Sequence, residues 1–330
     1  MPFETTTVPV DGLELPAWFI PARDGQPGPG VVLVHGWESG RDRTLPMAQF
    51  LHAAGFHCLT FDVRGHGEND AETLPISGGE FGSDAAAAFD ALLARPEVTI
   101  GAISGHSMGG IGAILAGAAD SRVAAVVATS APAGPYHLTR QTFRLARLPF
   151  PDPIAWPLAW LTTLVYLRPR GHRVGDISAR RAIADYRGPI LLTHGEDDVV
   201  VPRRHFDRLR ATLLEVRAGD PSAGPALELL VPGGQHSWLY EFEAYRRIVA
   251  RFLAESLHGP YEPDEAAERA AAVPAERLPD GEKPFHAVGE GTGARRLVRL
   301  ALPGATRPDP TLAGAPLDVP AADPLPEPGT

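Results

Sequence analysis

Three residue types that can form a nucleophilic site occur at separate points of the chain. A serine lies within Gly105-His106-Ser107-Met108-Gly109, which matches the pattern G-x-S-x-G. The acidic run Glu196-Asp197-Asp198 and the loop 232–236, which ends in His236, follow later. A serine hydroxyl is a weak nucleophile unless a base takes its proton and a third group orients that base. The combination of Ser107, an acid and His236 therefore predicts chemistry through an acyl intermediate.

Each of these residues follows an apolar segment that is expected to be a strand. VTIGAIS runs into the serine motif and the small-residue run MGGIGAILAGA leaves it. A serine on a strained turn needs this sequence of strand, turn and helix. PILLTHG precedes the acidic run, and LELLV precedes the histidine loop. The order serine, acid, histidine differs from the orders found in the chymotrypsin and subtilisin types.

The first 259 residues alternate short β-branched runs with longer helical patterns, which is typical of a parallel sheet wrapped by helices. Residues 3–20 predict an antiparallel hairpin that turns at Asp11-Gly12. The predicted fold class is α/β, with a mostly parallel sheet and helices on both faces. Strands are expected at 31–35, 57–62, 98–104, 123–129, 190–194 and 227–231, and helices at 45–54, 82–94, 108–118, 203–217 and 241–257.

Several of these segments together resemble the α/β-hydrolase fold family, in particular its single-domain serine esterases, lipases and peptidases with a small cap. The resemblance spans residues 1–257 and implies the α/β-hydrolase fold. Its segments are HGW at 35–37, DVRGHG at 62–67, GHSMGG at 105–110, HGEDDVVVP at 194–202 and the loop that ends at His236.

The resemblance also implies roles for individual residues. Ser107 would be the nucleophile and His236 the base. The family pattern H-G-x-x-D-x-x-V-P puts the acid at its fifth position, which is Asp198, and Asp197 is the alternative. The backbone N–H groups of Trp37 and Met108 would hold the oxyanion of the intermediate.

Residues 133–188 interrupt the alternation and predict a helical cap inserted between two strands. This segment has nine arginines, no lysine and three acids, which gives a local charge of +6 in a chain of net charge −10. Arg140 and Arg144 are candidate contacts for an anionic substrate, although a solvated face paired with acids of the core is the alternative. Trp156 and Trp160 are candidates for an acyl-chain wall, but most of this apolar surface is expected to pack on the core.

The overall composition excludes several classes of protein. A net charge of −10 argues against nucleic acid as a partner. The single cysteine, Cys58, cannot form an internal disulfide, and no Cys/His spacing predicts a metal site. No basic and apolar leader is visible at the N-terminus, so a cytoplasmic location is expected. The apolar run 154–167 is too short to predict stable membrane insertion.

The domain is expected to end at residue 259. Residues 260–330 hold 13 of the 34 prolines and are rich in alanine, glycine and acid, which predicts a disordered tail with room for a short helix at 264–272. The sequence leaves the oligomeric state open.

The expected function is hydrolysis of a carboxylic ester by a Ser-His-Asp triad without a cofactor. The partner would be a small-molecule ester, either anionic or with an apolar acyl chain. The same triad would also serve a peptidase, thioesterase, lipase or acyltransferase. A noncatalytic binding module of the same fold, or a tail that recruits a protein partner, is the alternative outside catalysis.

Overall fold

The computed structural model describes residues 1–22 and 25–274, which form one eight-stranded sheet with helices on both sides. The strands are β1 (Glu4–Val10), β2 (Leu13–Ile20), β3 (Gly28–Val34), β4 (His57–Phe61), β5 (Val98–His106), β6 (Val123–Thr129), β7 (Ile190–Gly195) and β8 (Ala226–Val231). Their order across the sheet is β1-β2-β4-β3-β5-β6-β7-β8. Each strand predicted from the sequence is present within a few residues of its expected bounds.

The first two strands form the predicted hairpin. β1 pairs antiparallel with β2, and β2 pairs antiparallel with β4, whereas the strands from β4 to β8 across the sheet run parallel. Asp11 and Gly12 both adopt positive φ, 50° and 79°, as a two-residue hairpin turn of this kind requires. The turn at Asp11-Gly12 is therefore confirmed.

Helices cover the two faces of this sheet. They are α1 (Leu45–Ala53), α2 (Gly78–Leu93), α3 (Met108–Ala119), α4 (Pro135–Leu145), α5 (Asp152–Leu167), α6 (Ala179–Asp185), α7 (Arg204–Arg217), α8 (Glu243–Leu257) and α9 (Pro263–Ala271).

The central strand β3 shows why both faces are covered. Val32 and Val34 belong to one apolar core, to which α2 and α3 contribute, and Val31 and Leu33 belong to a second core with residues of α1 and α8. Successive side chains of a strand point to opposite faces, so a run of apolar residues needs a helix layer on each side. The predicted α/β fold class is confirmed.

The neighbouring strand β4 carries the single cysteine. Cys58 is fully buried, and burial raises the pKa of its thiol well above the ordinary range. The thiol therefore stays protonated at neutral pH.

The predicted cap lies between β6 and β7 and consists of α4, α5 and α6. Its apolar helix α5 packs differently from the expectation. Ala155, Ala159, Thr163 and Leu167 are the buried positions, whereas the bulky side chains next to them face outward. The exposed side chains include Trp156, Trp160, Leu161 and Val165, with 37%, 54%, 54% and 63% exposure.

The expectation that most of this apolar surface packs on the core is therefore wrong. The reason is the four-residue spacing of the small residues, which gives α5 a narrow buried stripe suited to close approach of a neighbouring helix. Thr163 and Thr139 of α4 share a hydrogen bond of 2.9 Å across that contact. Within the described residues, no helix has the length and hydropathy needed to span a membrane.

Helical structure continues past the predicted boundary at residue 259. Helix α9 packs against α8, and its Ala266, Ala267 and Ala270 are fully buried. Arg246 donates hydrogen bonds to the carbonyls of Ala270 and Ala271 at 3.2 and 3.0 Å. The short helix is thus part of the domain, because its alanine face fits closely on α8. The rest of the predicted tail, residues 275–330, lies outside the described residues.

The contact between α2 and α3 depends on Gly112. A Cβ atom at this position would lie 2.6 Å from the carbonyl oxygen of Phe81, which belongs to the backbone of α2. We expect Gly112→Ala to lower the free energy of unfolding, because overpacking costs about 1–3 kcal/mol and exceeds the gain of about 1 kcal/mol in helix propensity. Urea unfolding followed by circular dichroism measures the change.

Gly28→Ala is the matched control. A Cβ atom at Gly28 would have its nearest neighbours at 3.8 and 3.9 Å, so we expect almost no loss of stability there. Equal effects of the two substitutions would contradict this account of the helix contact.

Candidate active site

Ser107 lies on a sharp turn between β5 and α3. Its backbone adopts φ 55° and ψ −116°, a strained conformation for a residue with a side chain. The Ser107 N–H donates to the Thr129 carbonyl at 2.8 Å, which ties the turn to the end of β6. A side chain at Gly109 would overlap the carbonyls of Val34 and His35. Only glycine therefore allows the turn at Ser107 to approach β3 this closely.

His236 lies between Ser107 and Asp198. Its Nε2 is 3.0 Å from Ser107 Oγ, and its Nδ1 is 2.8 Å from Asp198 Oδ2. Both distances are those of hydrogen bonds. With the Nδ1 proton donated to the carboxylate, Nε2 is left as an acceptor for the serine hydroxyl. The structure thus brings together the three residues that the sequence singled out, although 129 and 38 positions separate His236 from its two partners.

Asp198 is held by its own loop. Its Oδ1 accepts hydrogen bonds from the N–H groups of Val200 and Val201 at 2.9 and 2.8 Å, and Oδ2 is left for His236. The side chain of Asp198 is fully buried, whereas the alternative, Asp197, is exposed. Between the two predicted acids, only Asp198 contacts His236.

The electrostatic surroundings keep Asp198 ionised. Burial alone would raise the pKa of this carboxyl, but His236, His194 and the Val201 N–H outweigh that effect and hold the pKa below its ordinary value. His194 Nε2 lies 3.6 Å from Asp198 Oδ2 and 2.8 Å from the Val201 carbonyl oxygen. A negative charge behind the imidazole is therefore present at neutral pH.

His106 holds the backbone of His236 by a hydrogen bond, a role that sequence reasoning missed. Its Nε2 donates to the His236 carbonyl at 2.6 Å, and the two rings lie 4.8 Å apart. Burial, together with the nearby His236, lowers the pKa of His106 to about 4, so the ring is neutral at pH 7. The G-x-S-x-G pattern places His106 next to the serine but carries no signal for a partner 130 positions away.

The loop after β3 lies directly against the nucleophile turn. A Cβ atom at Gly36 would be 3.3 Å from Ser107 Cβ, so the backbone that leads into Trp37 passes beside the serine. Met108 is the first residue of α3, where a backbone N–H has no acceptor within the helix. Among the described residues, the Trp37 N–H also has no acceptor. Both predicted oxyanion donors thus belong to segments that border Ser107.

His35 and the turn at 62–66 have structural contacts. His35 Nδ1 donates to the Gly36 carbonyl at 2.7 Å, and its Nε2 accepts from the Val63 N–H at 3.0 Å. Asp62 accepts from the Arg41 and Glu68 N–H groups at 2.6 and 3.0 Å. These contacts give His35 and the turn at 62–66 a structural role.

The predicted substrate-binding residues lie on the cap. Arg140 is buried and ion-paired with Asp152, and Arg144 lies 3.5 Å from the same carboxylate. The Trp156 ring is 5.3 Å from the His137 ring and 5.9 Å from the Arg140 guanidinium. Trp160 is more than half exposed. Among the hydrogen bonds and ring contacts of the described residues, none joins these four side chains to Ser107, His236 or Asp198.

Comparison with known proteins finds a family model and a relative that match part of the chain. Residues 25–168 match the family model described as serine aminopeptidase, S33. An uncharacterized protein of Mycobacterium tuberculosis is 27% identical over 250 residues, which cover 74% of this chain and 77% of that protein.

Solved structures with the same fold include an esterase and a peptidase. The esterase Pf2001 of Pyrococcus furiosus is 23% identical, with a TM-score of 0.58 over 78% of this chain and 93% of its own. The acylaminoacyl peptidase of Pyrococcus horikoshii is 16% identical, with a TM-score of 0.59 over 81% of this chain and 44% of its own. The fold is that of the α/β hydrolases. The resemblance seen in the sequence implied this fold, and that prediction is confirmed.

The buried His35 makes the fold sensitive to acid. Burial lowers the pKa of His35 to about 4, although its bond to the Gly36 carbonyl acts in the opposite direction. The unfolded chain therefore binds a proton below about pH 6.5 that the folded chain takes up only near pH 4. We expect His35 to reduce the free energy of unfolding by about 1.4 kcal/mol for each pH unit lost within this range.

The test is urea unfolding of the wild type and His35→Asn across this pH range. The variant should lose stability less steeply as the pH falls. His258→Asn is the control, because His258 is exposed and its left-handed backbone suits asparagine. A wild-type slope in His35→Asn would show that this histidine does not carry the effect.

Proposed function

We propose that this α/β hydrolase is a serine hydrolase that cleaves a carboxylic ester through an acyl-enzyme intermediate. The observation that carries the proposal is the continuous hydrogen-bonded chain from Ser107 Oγ through the His236 ring to the buried Asp198 carboxylate. A nucleophile, a base and an oriented acid in this geometry are the requirements for acyl transfer.

The first half of the reaction forms the acyl-enzyme. His236 Nε2 takes the proton of Ser107 Oγ as the oxygen attacks the ester carbonyl, and the C–O double bond opens to an oxyanion. His236 then gives the proton to the departing alkoxide as the ester C–O bond breaks. Asp198 keeps the Nδ1 proton in place and balances the positive charge of the imidazolium.

The second half uses water in the place of the serine. His236 removes a proton from a water molecule, the hydroxide attacks the acyl carbonyl, and Ser107 Oγ leaves with the proton that His236 returns. The N–H groups of Trp37 and Met108 hold the oxyanion in both halves, and each such donor contributes about 3 kcal/mol to the transition state. Every step uses protein groups and water alone, so the proposal includes no cofactor.

The substrate is proposed to be a small-molecule ester, and the location is proposed to be cytoplasmic. The positive cap favours an anionic ester over a substrate that presents an ammonium group. A peptidase remains the second candidate, because the matched family model is described as a serine aminopeptidase. p-Nitrophenyl esters from acetate to laurate, assayed beside aminoacyl p-nitroanilides, separate the two, and turnover of the anilides alone would overturn the ester assignment.

Ser107→Ala tests the nucleophile. We expect the variant to lose labelling by a fluorophosphonate probe and at least about 10³-fold in ester turnover, while its unfolding curve stays close to that of the wild type. Ser104→Ala is the control, since this buried serine lies on the same strand and its hydroxyl has no partner among the described residues. Retained turnover in Ser107→Ala would remove the serine mechanism.

Asp198→Asn tests the acid against its neighbour. An amide at this position cannot stabilise the imidazolium and favours the wrong tautomer of His236, so we expect kcat to fall by about 10³- to 10⁴-fold. Asp197→Asn, which changes the same charge on an exposed side chain, should leave kcat within about twofold of the wild type. A larger effect at Asp197 than at Asp198 would reverse the assignment.

A further inference from the structure

A group of arginine and histidine side chains lies where cap helix α4 meets the first turns of α7. We call it the α4–α7 cluster. Its rings of His137 and His205 have centroids 6.3 Å apart, and the Arg204 guanidinium donates to Gln141 Oε1 at 2.5 Å across the two helices. The members are His137, Arg140 and Arg144 of α4, Arg180 of α6, and Arg204, His205 and Arg208 of α7.

Among the described residues, the carboxylates near this cluster do not balance the charge of its five arginines. Asp152 pairs with Arg140 and lies 3.5 Å from Arg144. Within residues 1–22 and 25–274, no carboxylate lies within 4.0 Å of the guanidinium groups of Arg180, Arg204 or Arg208. Other cap arginines do pair with acids of the core: Arg170 lies 2.6 Å from Glu72, and Arg187 lies 3.0 Å from Asp220. Pairing with an acid therefore describes those arginines but not Arg180, Arg204 and Arg208.

Four buried nitrogen atoms of the cluster have no hydrogen-bond partner among the described residues. They are His137 Nδ1, Arg140 Nε, His205 Nε2 and Arg208 Nη1. His205 is fully buried and Arg140 is only 6% exposed. A buried polar atom without a partner costs about 1–3 kcal/mol, so these four atoms favour a ligand that supplies the missing hydrogen bonds.

The contacts of His205 show which kind of atom it can bind. Its Nδ1 accepts a hydrogen bond from the Ala133 N–H at 3.1 Å. The neutral ring must therefore carry its proton on Nε2, which is the atom without a partner. His205 thus presents a buried N–H donor rather than an acceptor, and the three arginines of α7 and α6 are donors as well.

Burial and the charges of neighbouring members lower the pKa values of three groups in the cluster. Burial, followed by Arg208, Arg204 and Arg180, lowers the pKa of His137 to about 4. Burial and then Arg204 lower the pKa of His205 to about 3. Burial also lowers the pKa of Arg204, and Arg144, Arg208 and Arg140 add to that effect. A bound anion would relieve this repulsion, because an opposite charge favours the protonated form of each group.

We propose that the α4–α7 cluster is a binding site for a carboxylate or phosphate group. Guanidinium groups match the geometry of both anions, and the His205 N–H supplies a neutral donor at the buried end. Gln141 links the site to the active-site loop, since its Nε2 donates to the Val199 carbonyl at 3.0 Å, one residue after Asp198. The anion would therefore bind beside the acid loop, between the cap and the main domain.

The anionic group has two possible sources. It is either part of the ester substrate, in which case this inference rests on the proposed function, or part of a separate small molecule that bridges the cap and α7. The binding step is the same in both cases. It is tested first with inorganic phosphate and no ester, so that its outcome does not depend on hydrolysis.

The binding test compares the wild type with the double variant Arg204→Gln/Arg208→Gln by calorimetric titration of phosphate at constant ionic strength. We expect saturable binding of one phosphate to the wild type and an affinity at least 10-fold lower in the double variant. Arg173→Gln is the control for charge, because Arg173 is an exposed cap arginine outside the cluster. Equal affinity in the wild type and the double variant would overturn the proposal.

A second readout separates a ligand site from a structural role. Without phosphate, the double variant should have a higher melting temperature than the wild type, because two repelling charges are removed. Phosphate should raise the melting temperature of the wild type but not that of the double variant. Arg208→Lys, which keeps the charge, should retain part of the phosphate effect. A double variant that melts at a lower temperature than the wild type and still responds to phosphate would contradict the proposal.

The source of the anion is then resolved with two esters of similar length. If the group belongs to the substrate, the double variant has a KM for mono-p-nitrophenyl glutarate that is at least 10-fold higher than that of the wild type. Its KM for p-nitrophenyl valerate is unchanged. If it belongs to a separate molecule, phosphate still binds while the two esters respond alike. Phosphate binding without hydrolysis of any ester would support the anion site and remove only the proposed function.

Discussion

The strained turn at Ser107 depends on the register of β5 between its neighbours. A residue with positive φ outside the usual left-handed region costs of order 1–3 kcal/mol, and the structure around it must hold it there. His106 is the register partner of Thr129, whose carbonyl accepts the Ser107 N–H, and α3 begins at the next residue. Because backbone bonds fix the turn, the Ser107 hydroxyl stays available for His236.

The remaining parts of the site reach this turn from the same edge of the sheet. The loops after β7 and β8 bring Asp198 and His236, since the carboxyl ends of parallel strands lie on one side. Asp198 uses one oxygen for backbone N–H groups and the other for His236, so its position does not depend on the histidine alone. His106 holds the backbone of His236 in addition. The imidazole is thus fixed from both its ring and its main chain.

Most of the fold can be predicted from the sequence, as can the candidate residues Ser107, Asp198 and His236. Each of these features depends on a local pattern. Apolar strands, the Asp11-Gly12 turn and the G-x-S-x-G motif each have a signal within a few residues. The outward side chains of α5 were predicted wrongly, because hydrophobicity does not show that the small residues Ala155 and Ala159 form the contact. The bond from His106 to His236 and the four unpartnered nitrogens of the α4–α7 cluster depend on distant segments meeting, for which a single sequence has no signal.

The burial of Cys58 has a practical consequence for the study of the cap. Thiol reagents attack the thiolate, and the only cysteine of the chain is both inaccessible and protonated. Thiol reagents should therefore not label the natural protein, which makes it suitable for site-specific labelling. A cysteine introduced on the exposed face of α5, at Val165 for example, would be the single reactive thiol, and a fluorophore there would report the position of the cap without removal of any native residue from the core.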